Sequence, residues 1–293
     1  MAGTPREIAL LTNPSAGSGS AQRIRDAALA RLRDAGFAVR SLQGADADEA
    51  LDLARYCVRD GVEALVLCGG DGLVHLGVQA VAGTGVPLGI IPAGTGNDVA
   101  RCLDLPRRDP VAAADVVIAS RTRTVDLARC GSKYFVTVLA AGFDAVVNER
   151  ANKMTWPRGQ MRYNLATLAE LRTFAALPYT LELDGEVVHR EAVLVAVGNG
   201  PSYGGGLRMA EGAVLDDGLL DVVIVGRLSK VGLVRAYPKL FKGTHVTLPQ
   251  YEHHRVRTVS VAAPGIMSYA DGERFGALPL TIESAPGALR VLA

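Results

Sequence analysis

The sequence predicts an N-terminal doubly wound α/β domain followed by a mainly β domain of sandwich type. Three observations support this fold class. Apolar, strand-like runs alternate with helix-like segments in the N-terminal part of the chain, and short glycine-rich joints connect them. From about residue 121 onward, most segments alternate in polarity as antiparallel strands do. The length of 293 residues is also sufficient for two domains.

The elements of the first domain follow from their apolar spacing and their end signals. The predicted helices have apolar residues at helical spacing, and Gly36 and Gly61 end the first two. The run VEALVLC is apolar on both faces, as in a parallel sheet. The predicted strands are 7–11, 37–42, 62–68 and 86–91, and the predicted helices are 21–36, 47–61, 73–82, 97–103 and 109–120.

The second domain is predicted from a change of pattern. Residues 123–130 and 133–141 resemble an antiparallel pair with a tight joint at Gly131, and a long helical stretch, interrupted at Pro157, spans 148–174. The later β-rich segments are 179–190, 191–200, 218–226, 257–263, 267–275 and 278–284. We therefore predict an α/β domain over 1–125, to which a C-terminal strand (about 277–293) returns, and a β-rich domain over 126–276.

Composition excludes several classes of protein. The net charge of +1 gives no basis for a nucleic-acid partner. Residues 72–97 carry no Asp, Glu, Lys or Arg, but repeated Gly and Pro residues make loops a better interpretation than a membrane span. The four cysteines have neither CxxC nor metal-ligand spacing and predict free thiols. With no signal-like N-terminus, we expect a cytoplasmic protein.

Three glycine-rich joints are the main functional signal. They are NPSAGSG (13–19), CGGDG (68–72) and PAGTGND (92–98), and each follows a predicted parallel strand. Such joints expose backbone N–H groups that bind anions, and strand ends of one sheet edge line one crevice. One loop alone would be ordinary turn chemistry, but three favour a nucleotide phosphate site. Asp71 would act through Mg²⁺ or orient the loop by hydrogen bonds.

The sequence lacks the common nucleotide fingerprints. It has no GxxxxGK[ST] and no GxGxxG opening a helix. NPSAGSG, GGDG and LGIIPAGTGNDVAR instead resemble the diacylglycerol kinase catalytic family of lipid kinases. GGDG alone is shared with NAD kinases and related phosphofructokinases. The resemblance implies ATP and Mg²⁺ as cofactors, and phosphorylation of a lipid hydroxyl, diacylglycerol or a related lipid, at a membrane surface.

The resemblance also implies a set of ATP-binding residues. They are Asn13, Pro14, Ser15, Ala16, Gly17, Ser41, Gly69, Gly70, Asp71, Gly72, Leu73, Val74, His75, Thr95 and Asp98. The sequence departs from the family pattern GGDGTxNE at Leu73, His75 and Leu76. These changes remove a hydroxyl, an amide and a carboxylate, whereas phosphate contacts through backbone amides do not depend on them.

The acidic residues receive their roles from the same resemblance. Asp126 would join Asp71 and Asp98 around a catalytic Mg²⁺. In YADGE, Asp271 would be the catalytic base, with Glu273 nearby. In DDGLLDVVIV, a structural Mg²⁺ would be held by Asp217 and the carbonyls of Val214 and Leu219. Asp-Gly dipeptides are also ordinary hairpin turns, and Asp98 can be a helix N-terminal acid.

The mode of membrane contact and the acceptor stay open. The segment KMTWPRGQMRY (153–163) holds the one Trp with three basic residues, and it fits either a bilayer contact or a plain helical turn. Peripheral association with the inner face of the membrane and a homodimer are both compatible with the sequence. The alternatives are NAD kinase-like phosphorylation of a soluble acceptor and a nucleotide-binding regulator without turnover.

Overall fold

The computed structural model describes residues 6–12, 19–156, 165–166, 169–170 and 175–293. These residues form two compact units. The first comprises residues up to Leu127 together with Pro286–Ala293, and the second comprises Ala128–Ala285. Helices alternate with strands in the first unit, whereas strands predominate in the second.

The first unit contains a parallel sheet in the order β15-β4-β3-β1-β2. Its strands and helices are β1 (Glu7–Thr12), α1 (Gly19–Asp34), β2 (Ala38–Leu42), α2 (Ala47–Asp60), β3 (Leu65–Gly69), α3 (Asp71–Val81), β4 (Leu88–Pro92), α4 (Asp98–Cys102) and α5 (Pro110–Ala119), with the last residues of β15 (Leu280–Leu292). The alternation of strands and helices that the sequence predicts is therefore present.

Helices cover both faces of this sheet. Ile8, Leu10 and Val66 pack with residues of α1 and α5 in one buried cluster. Leu67, which points to the opposite face because side chains alternate along a strand, contacts α3 at Gly77, where an added Cβ would overlap the leucine. Gly61 ends α2 in the left-handed conformation at φ 89°, as its position in the sequence predicts.

The second unit is built on antiparallel strands around β9, which pairs with β7, β8 and β10. Its elements are the end of β5 (Thr122–Cys130), a strand that begins in the first unit, β6 (Lys133–Phe135), β7 (Val138–Gly142), α6 (Phe143–Lys153), β8 (Leu177–Leu183), β9 (Glu186–Gly198), β10 (Leu220–Gly226), α7 (Lys230–Lys242), a 3₁₀ turn (Thr244–Thr247), β11 (Tyr251–Val256), β12 (Thr258–Ala262), β13 (Met267–Ala270), β14 (Glu273–Ala277) and the start of β15. A buried apolar cluster from most of these strands forms its core.

Several elements of the second unit differ from the sequence prediction. The single strand predicted over 133–141 is interrupted between β6 and β7, because the N–H groups of Val136 and Thr137 donate to a side chain, Asp271. The two segments predicted over 179–200 give a hairpin whose second strand, β9, runs unbroken through the predicted boundary at residue 190.

Helix α7 and strand β11 were not predicted. α7 contains Gly232, Pro238 and two valines, all weak helix formers. β11 reads YEHHRV, which lacks a clear apolar alternation. The helix predicted over 148–174 is α6 in its first part, beginning earlier at Phe143, and much of the remainder lies outside the described residues.

Candidate active site

Two glycine loops of the first unit contact each other through their backbones. Gly70 lies at the N-terminus of α3, after β3, and Gly94 follows β4. A Cβ built on Gly94 would lie 2.5 Å from the Gly70 Cα, and one built on Gly70 would lie 3.1 Å from the Gly94 Cα. Any side chain at Gly94 would therefore force the loops apart. The loops at 68–72 and 92–98 form one continuous backbone surface, as a shared phosphate site requires.

Asp71 links the two loops by hydrogen bonds. Its Oδ1 accepts from the Asp98 N–H at 2.6 Å and from the Val99 N–H at 3.4 Å, so it caps the start of α4 from another loop. Its Oδ2 faces Gly96, where an added Cβ would lie 2.7 Å away. The side chain thus orients the loop, which is one of the two roles that the sequence leaves open for it.

Asn97 and Arg101 were not identified from the sequence, yet both hold the second loop. Asn97 has φ 49°, and its side-chain amide accepts from the Gly94 N–H at 3.0 Å and donates to the Gly94 carbonyl at 2.9 Å. Arg101 donates to the Gly96 carbonyl at 3.0 Å and lies 3.5 Å from Asp98 Oδ1. An Asn beside Gly and a basic residue one turn after Asp98 are the sequence signals that indicate these roles.

One departure from the family pattern, Leu73, has a packing explanation in α3. Leu73 is buried, and its side chain lies directly against Gly69, where a Cβ would be 2.7 Å from Leu73 Cδ2. Val74 is also buried, whereas His75 is half-buried and accepts a hydrogen bond from Gln79 on its carbonyl. Leu73 therefore supports the loop from beneath by apolar contact, in place of a hydroxyl.

The other predicted nucleotide residues are exposed or lie outside the described residues. Thr95 is exposed at the tip of the second loop, and Ser41 is an exposed residue of β2 in register with Leu10 of β1. The predicted residues Asn13, Pro14, Ser15, Ala16 and Gly17 lie outside the described residues.

Asp126 holds the returning C-terminal strand. This buried carboxylate accepts from the Gly287 N–H at 2.7 Å, and Gly287 has φ 63°. Asp71 and Asp98, by contrast, both lie next to Gly96. A Cβ built on Gly96 would lie 2.7 Å from Asp71 Oδ2 and 3.4 Å from Asp98 Oδ2. Within the described residues, no group of three or more His, Cys, Asp or Glu is arranged to hold a metal.

The chemistry of the Asp71 and Asp98 pair suits Mg²⁺, which binds carboxylate oxygens and retains several waters. Two carboxylates and water can therefore complete a site at Gly96 without a third acidic side chain.

Cys68 is the first residue of the loop at 68–72. Burial raises the pKa of its thiol to about 11, so it stays protonated at neutral pH and is not a nucleophile. All four cysteines are free thiols, as the sequence predicts.

Asp271 occupies a buried hairpin turn in the second unit. It connects β13 to β14 with φ 52°, and Gly272 follows with φ 86°. Its Oδ1 accepts from the Thr137 N–H at 2.8 Å and from Thr137 Oγ1 at 2.7 Å, while its Oδ2 accepts from the Val136 N–H at 3.0 Å. These donors fix the orientation of the carboxylate. Glu273, at the start of β14, is exposed.

Thr137 and Asn199 complete the surroundings of Asp271 and were not identified from the sequence. Both are buried. Asn199 donates from Nδ2 to the Val136 carbonyl at 2.8 Å, and its N–H donates to the Thr137 carbonyl at 2.8 Å. The dipeptide between β6 and β7 therefore donates to Asp271 and accepts from Asn199. The sequence signal was the GNGPSYGGG loop, in which a single Asn follows an apolar strand.

The predicted structural metal segment is stabilised by protein contacts. Asp217 Oδ1 accepts from the Leu219 N–H at 3.0 Å, and its Oδ2 pairs with Arg255. Val214 is 44% exposed. A cation bound here would have to share the Asp217 carboxylate with the guanidinium of Arg255. The nearby Asp221 is buried with one oxygen 2.7 Å from His253 Nε2, and burial raises the pKa of this carboxyl above its usual range.

The predicted membrane segment is described only in its first residues. Trp156 is 78% exposed, and Lys153 pairs with Glu149 of α6. Arg158 and Arg162 lie outside the described residues. No helix in the part of the chain that the structure describes is long and apolar enough to cross a bilayer.

Comparison with known proteins identifies both parts of the chain. The diacylglycerol kinase catalytic domain model matches residues 7–130, and the model of the YegS C-terminal NAD kinase beta sandwich-like domain matches residues 137–293. The crystal structure of a diacylglycerol kinase from Bacillus anthracis str. Sterne is similar, with a TM-score of 0.80 and 25% identity over 99% of this chain and 97% of that chain. The predicted fold class, α/β followed by a β sandwich-like domain, is confirmed.

Curated relatives that are named diacylglycerol kinase match this chain over nearly their whole length. A diacylglycerol kinase of Mycobacterium tuberculosis (strain ATCC 25618 / H37Rv) is 46% identical over 292 residues, which cover 98% of this chain and 94% of the relative. A diacylglycerol kinase of Bacillus subtilis (strain 168) is 26% identical over 274 residues, which cover 92% and 90%. The resemblance that the three glycine motifs predict is confirmed, and the chain belongs to the diacylglycerol kinase family of kinase enzymes.

Proposed function

We propose that this protein transfers the terminal phosphoryl group of ATP to the hydroxyl group of a lipid, with diacylglycerol or a related lipid as the acceptor. The observation that carries the proposal is the backbone contact of Gly70 with Gly94, joined by Asp71, at the ends of two adjacent parallel strands. Backbone N–H groups of the two loops and of the α3 N-terminus are the groups that we propose to contact the phosphates. Such a surface binds phosphate by hydrogen bonds and by the helix dipole.

The residues proposed to hold Mg²⁺ are Asp71 and Asp98, whose Oδ2 atoms both face Gly96. When bound, Mg²⁺ neutralises charge that develops on the phosphoryl oxygens during transfer. Asp71 also keeps Oδ1 on the Asp98 N–H, so it holds the loop whether or not its second oxygen binds a cation. Asp126 is proposed to support this region through its hydrogen bond to Gly287.

Asp271 is proposed to orient the acceptor hydroxyl and to accept its proton. Three donors from Val136 and Thr137 fix the carboxylate, so little reorganisation is needed when the acceptor binds. A positioned base of this kind contributes roughly 10²–10⁴-fold to the rate. Glu273 lies two residues away at the start of β14 and is proposed as a secondary polar contact.

The relatives' names support a lipid acceptor, whereas the name of the C-terminal domain model also points to NAD kinases. The decisive experiment offers both acceptors. The protein is incubated with radiolabelled ATP, Mg²⁺ and either a total lipid extract, diacylglycerol vesicles or NAD, and the products are separated by chromatography. We expect label in the lipid fraction and in phosphatidic acid. Label in the NAD product alone would overturn the lipid acceptor. ATP binding without label in any fraction would instead support a nucleotide-binding regulator.

A further inference from the structure

Helix α7 presents an apolar stripe to solvent. Val231, Val234 and Phe241 are 59%, 53% and 41% exposed, and Pro238 between them is also exposed. These four residues recur at intervals of three and four, so they lie along one side of the helix. The opposite side is already used for packing, since Ala236 is buried and Leu240 contacts a buried cluster. The helix therefore has a second apolar side that the described part of the protein does not cover.

Basic residues border this stripe on both sides. At 100° per residue, Lys230 lies along one border, and Arg235, Lys239 and Lys242 lie along the other. Between Asp221 and Glu252 the chain has no acidic residue and five Lys or Arg. Arg235, Lys239 and Lys242 form no ion pair with any residue that the structure describes. By contrast, Arg6, Arg31, Arg40, Arg129 and Arg190 each lie within 3.0 Å of a carboxylate.

A basic groove adjoins the helix. Its volume is about 340 Å³, and Arg227, Arg235 and Lys239 line it together with Leu228 and Leu248. No acidic side chain lines it. Arg227 is paired with Glu191 at 2.7 Å, which leaves Arg235 and Lys239 as the cations of the groove without an ion pair among the described residues. Two such cations beside apolar side chains can accept the phosphate of a lipid headgroup, because its charge and the adjoining acyl chains are both matched.

A second exposed apolar residue is connected to the same region. Leu233 of α7 and Met154, just after α6, pack against one cluster that contains Phe143, Val147 and Ala166. Trp156 follows Met154 by two residues and is 78% exposed. Trp side chains favour the headgroup level of a bilayer.

We propose that one surface of α7 docks on a bilayer that contains anionic lipid. This α7 surface consists of Val231, Val234, Pro238 and Phe241, with the bordering Lys230, Arg235, Lys239 and Lys242. An exposed apolar stripe between rows of cations is the pattern of a helix that lies in the interface plane. The proposal rests on the proposed lipid acceptor, because a lipid kinase must reach its substrate in a membrane. It adds where the protein meets that membrane and which lipid charge attracts it.

The test measures binding of the full chain, without ATP, to vesicles of phosphatidylcholine with about one-third phosphatidylglycerol, using co-sedimentation. The triple variant Arg235→Gln, Lys239→Gln, Lys242→Gln removes three cations, and we expect binding to weaken by on the order of 100-fold. The double variant Val234→Gln, Phe241→Gln should weaken it by about tenfold or more. Wild-type binding should fall in salt of about 1 M and with pure phosphatidylcholine.

The matched control lies on helix α2. Tyr56 is 57% exposed there and has Arg55 and Arg59 as exposed neighbours, but four acidic residues share that helix. The variant Arg55→Gln, Tyr56→Gln, Arg59→Gln should bind vesicles as the wild type does. Equal binding by the α7 variants and the wild type would overturn the proposal. So would a change in oligomeric state of the α7 variants in the absence of vesicles, because it would assign the stripe to a contact between copies.

A separate assay distinguishes failure of docking from failure of the proposed function. Dioctanoylglycerol dispersed in detergent requires no bilayer, so the α7 variants should phosphorylate it at the wild-type rate and lose activity only on anionic vesicles. A wild type that binds anionic vesicles but phosphorylates neither substrate would contradict the lipid kinase and leave the binding result intact. An equal loss of activity on both substrates would overturn the docking role of α7.

Discussion

Asp271 and Asp184 occupy the same position in two Asp-Gly hairpin turns of the second unit and bind their neighbouring strands in the same way. Each has a positive φ, 52° and 48°, and each is followed by a glycine with positive φ. Asp184 accepts from the N–H groups of Arg257 and Thr258, as Asp271 does from Val136 and Thr137. They differ in that Asp271 is buried and also accepts from the Thr137 hydroxyl, whereas Asp184 is exposed.

This pair provides an internal control for the proposed base. In Asp271→Asn and in Asp184→Asn, an NH₂ group replaces an oxygen that accepts from a backbone N–H, so we expect each variant to lose about 1–3 kcal/mol of stability. Only Asp271→Asn should also lower turnover, by roughly 10²-fold or more, with little change in ATP affinity. Lipid phosphorylation, ATP binding and thermal unfolding are measured on the same preparations.

The same measurements test the alternatives to a catalytic base at Asp271. If turnover in both variants falls only in proportion to the folded fraction, Asp271 is a turn residue like Asp184. If Asp271→Asn loses ATP binding together with turnover, its role lies in holding the nucleotide. Thr137→Val, which removes one donor to Asp271 Oδ1, should lower turnover by a smaller factor, about tenfold.

The contact between the glycine loops can be tested with one methyl group. Gly94→Ala places a Cβ 2.5 Å from the Gly70 Cα, and the backbone must separate to admit it. We expect ATP affinity to fall by about tenfold or more, with a loss of stability of about 1–3 kcal/mol. Gly83→Ala is the control, since its Cβ would meet nothing within 4 Å and only its φ of 72° is unfavourable. It should lower the melting temperature and leave ATP affinity unchanged, as measured by titration calorimetry.

The two oxygens of Asp71 can be examined separately. Asp71→Asn keeps an acceptor for the Asp98 N–H but loses the negative charge facing Gly96. We therefore expect nearly unchanged stability and a turnover lower by roughly 10²-fold, with a higher Mg²⁺ requirement. Asp71→Ala should lose stability as well, since the N–H groups of Asp98 and Val99 lose their acceptor. Parental activity and Mg²⁺ dependence in Asp71→Asn would limit Asp71 to its hydrogen-bonding role.

The sequence predicted the fold well where elements carry their own signals. Strands β1, β3 and β4 are apolar on both faces, and Gly61 marks the end of α2, so local information was sufficient. It also predicted Asp71 as a residue of interest, because an acid within a phosphate loop needs a cation or hydrogen-bond donors beside it, whereas Asp271 was predicted from the family resemblance. The partners of these acids were less accessible. Thr137 lies 134 residues from Asp271, and no local pattern indicates that their side chains meet.

Tertiary contacts explain the missed elements as well. The strand predicted over 133–141 has the correct alternation, but two of its N–H groups bind a distant carboxylate and interrupt the pairing. α7 is a helix despite Gly232 and Pro238, since Leu233 and Leu240 pack against two apolar clusters that form only in the folded unit. The exposed apolar stripe of α7 was not predicted from the sequence, because valine is a residue that favours strands.

A structural metal at Asp217, as the family resemblance implies, would compete with an arginine. Asp217 pairs with Arg255, so a cation there must displace or share this partner. We expect added Mg²⁺ to raise the melting temperature of the wild type, to raise that of Arg255→Gln by more, and to raise that of Asp217→Ala by less, since the site proposed at Asp71 and Asp98 is present in all three. Identical Mg²⁺ responses in Asp217→Ala and the wild type would make the segment an ordinary turn held by Arg255.

Acid should destabilise the second unit through His245. This residue is buried, its Nε2 lies 3.0 Å from the Met209 carbonyl, and burial lowers the pKa of its imidazole. In the unfolded chain its pKa is about 6.5. As the pH falls below that value, the unfolded chain binds a proton that the folded one excludes, so the free energy of unfolding decreases until the lower folded pKa is passed. Asp221 acts in the opposite direction, because burial raises the pKa of its carboxyl, but it is present in both proteins compared below. His245→Gln retains a polar side chain beside Met209 and cannot titrate. Its melting temperature should therefore change less between about pH 7.5 and pH 5.5 than that of the wild type. Parallel curves for His245→Gln and the wild type would show that acid acts through other groups.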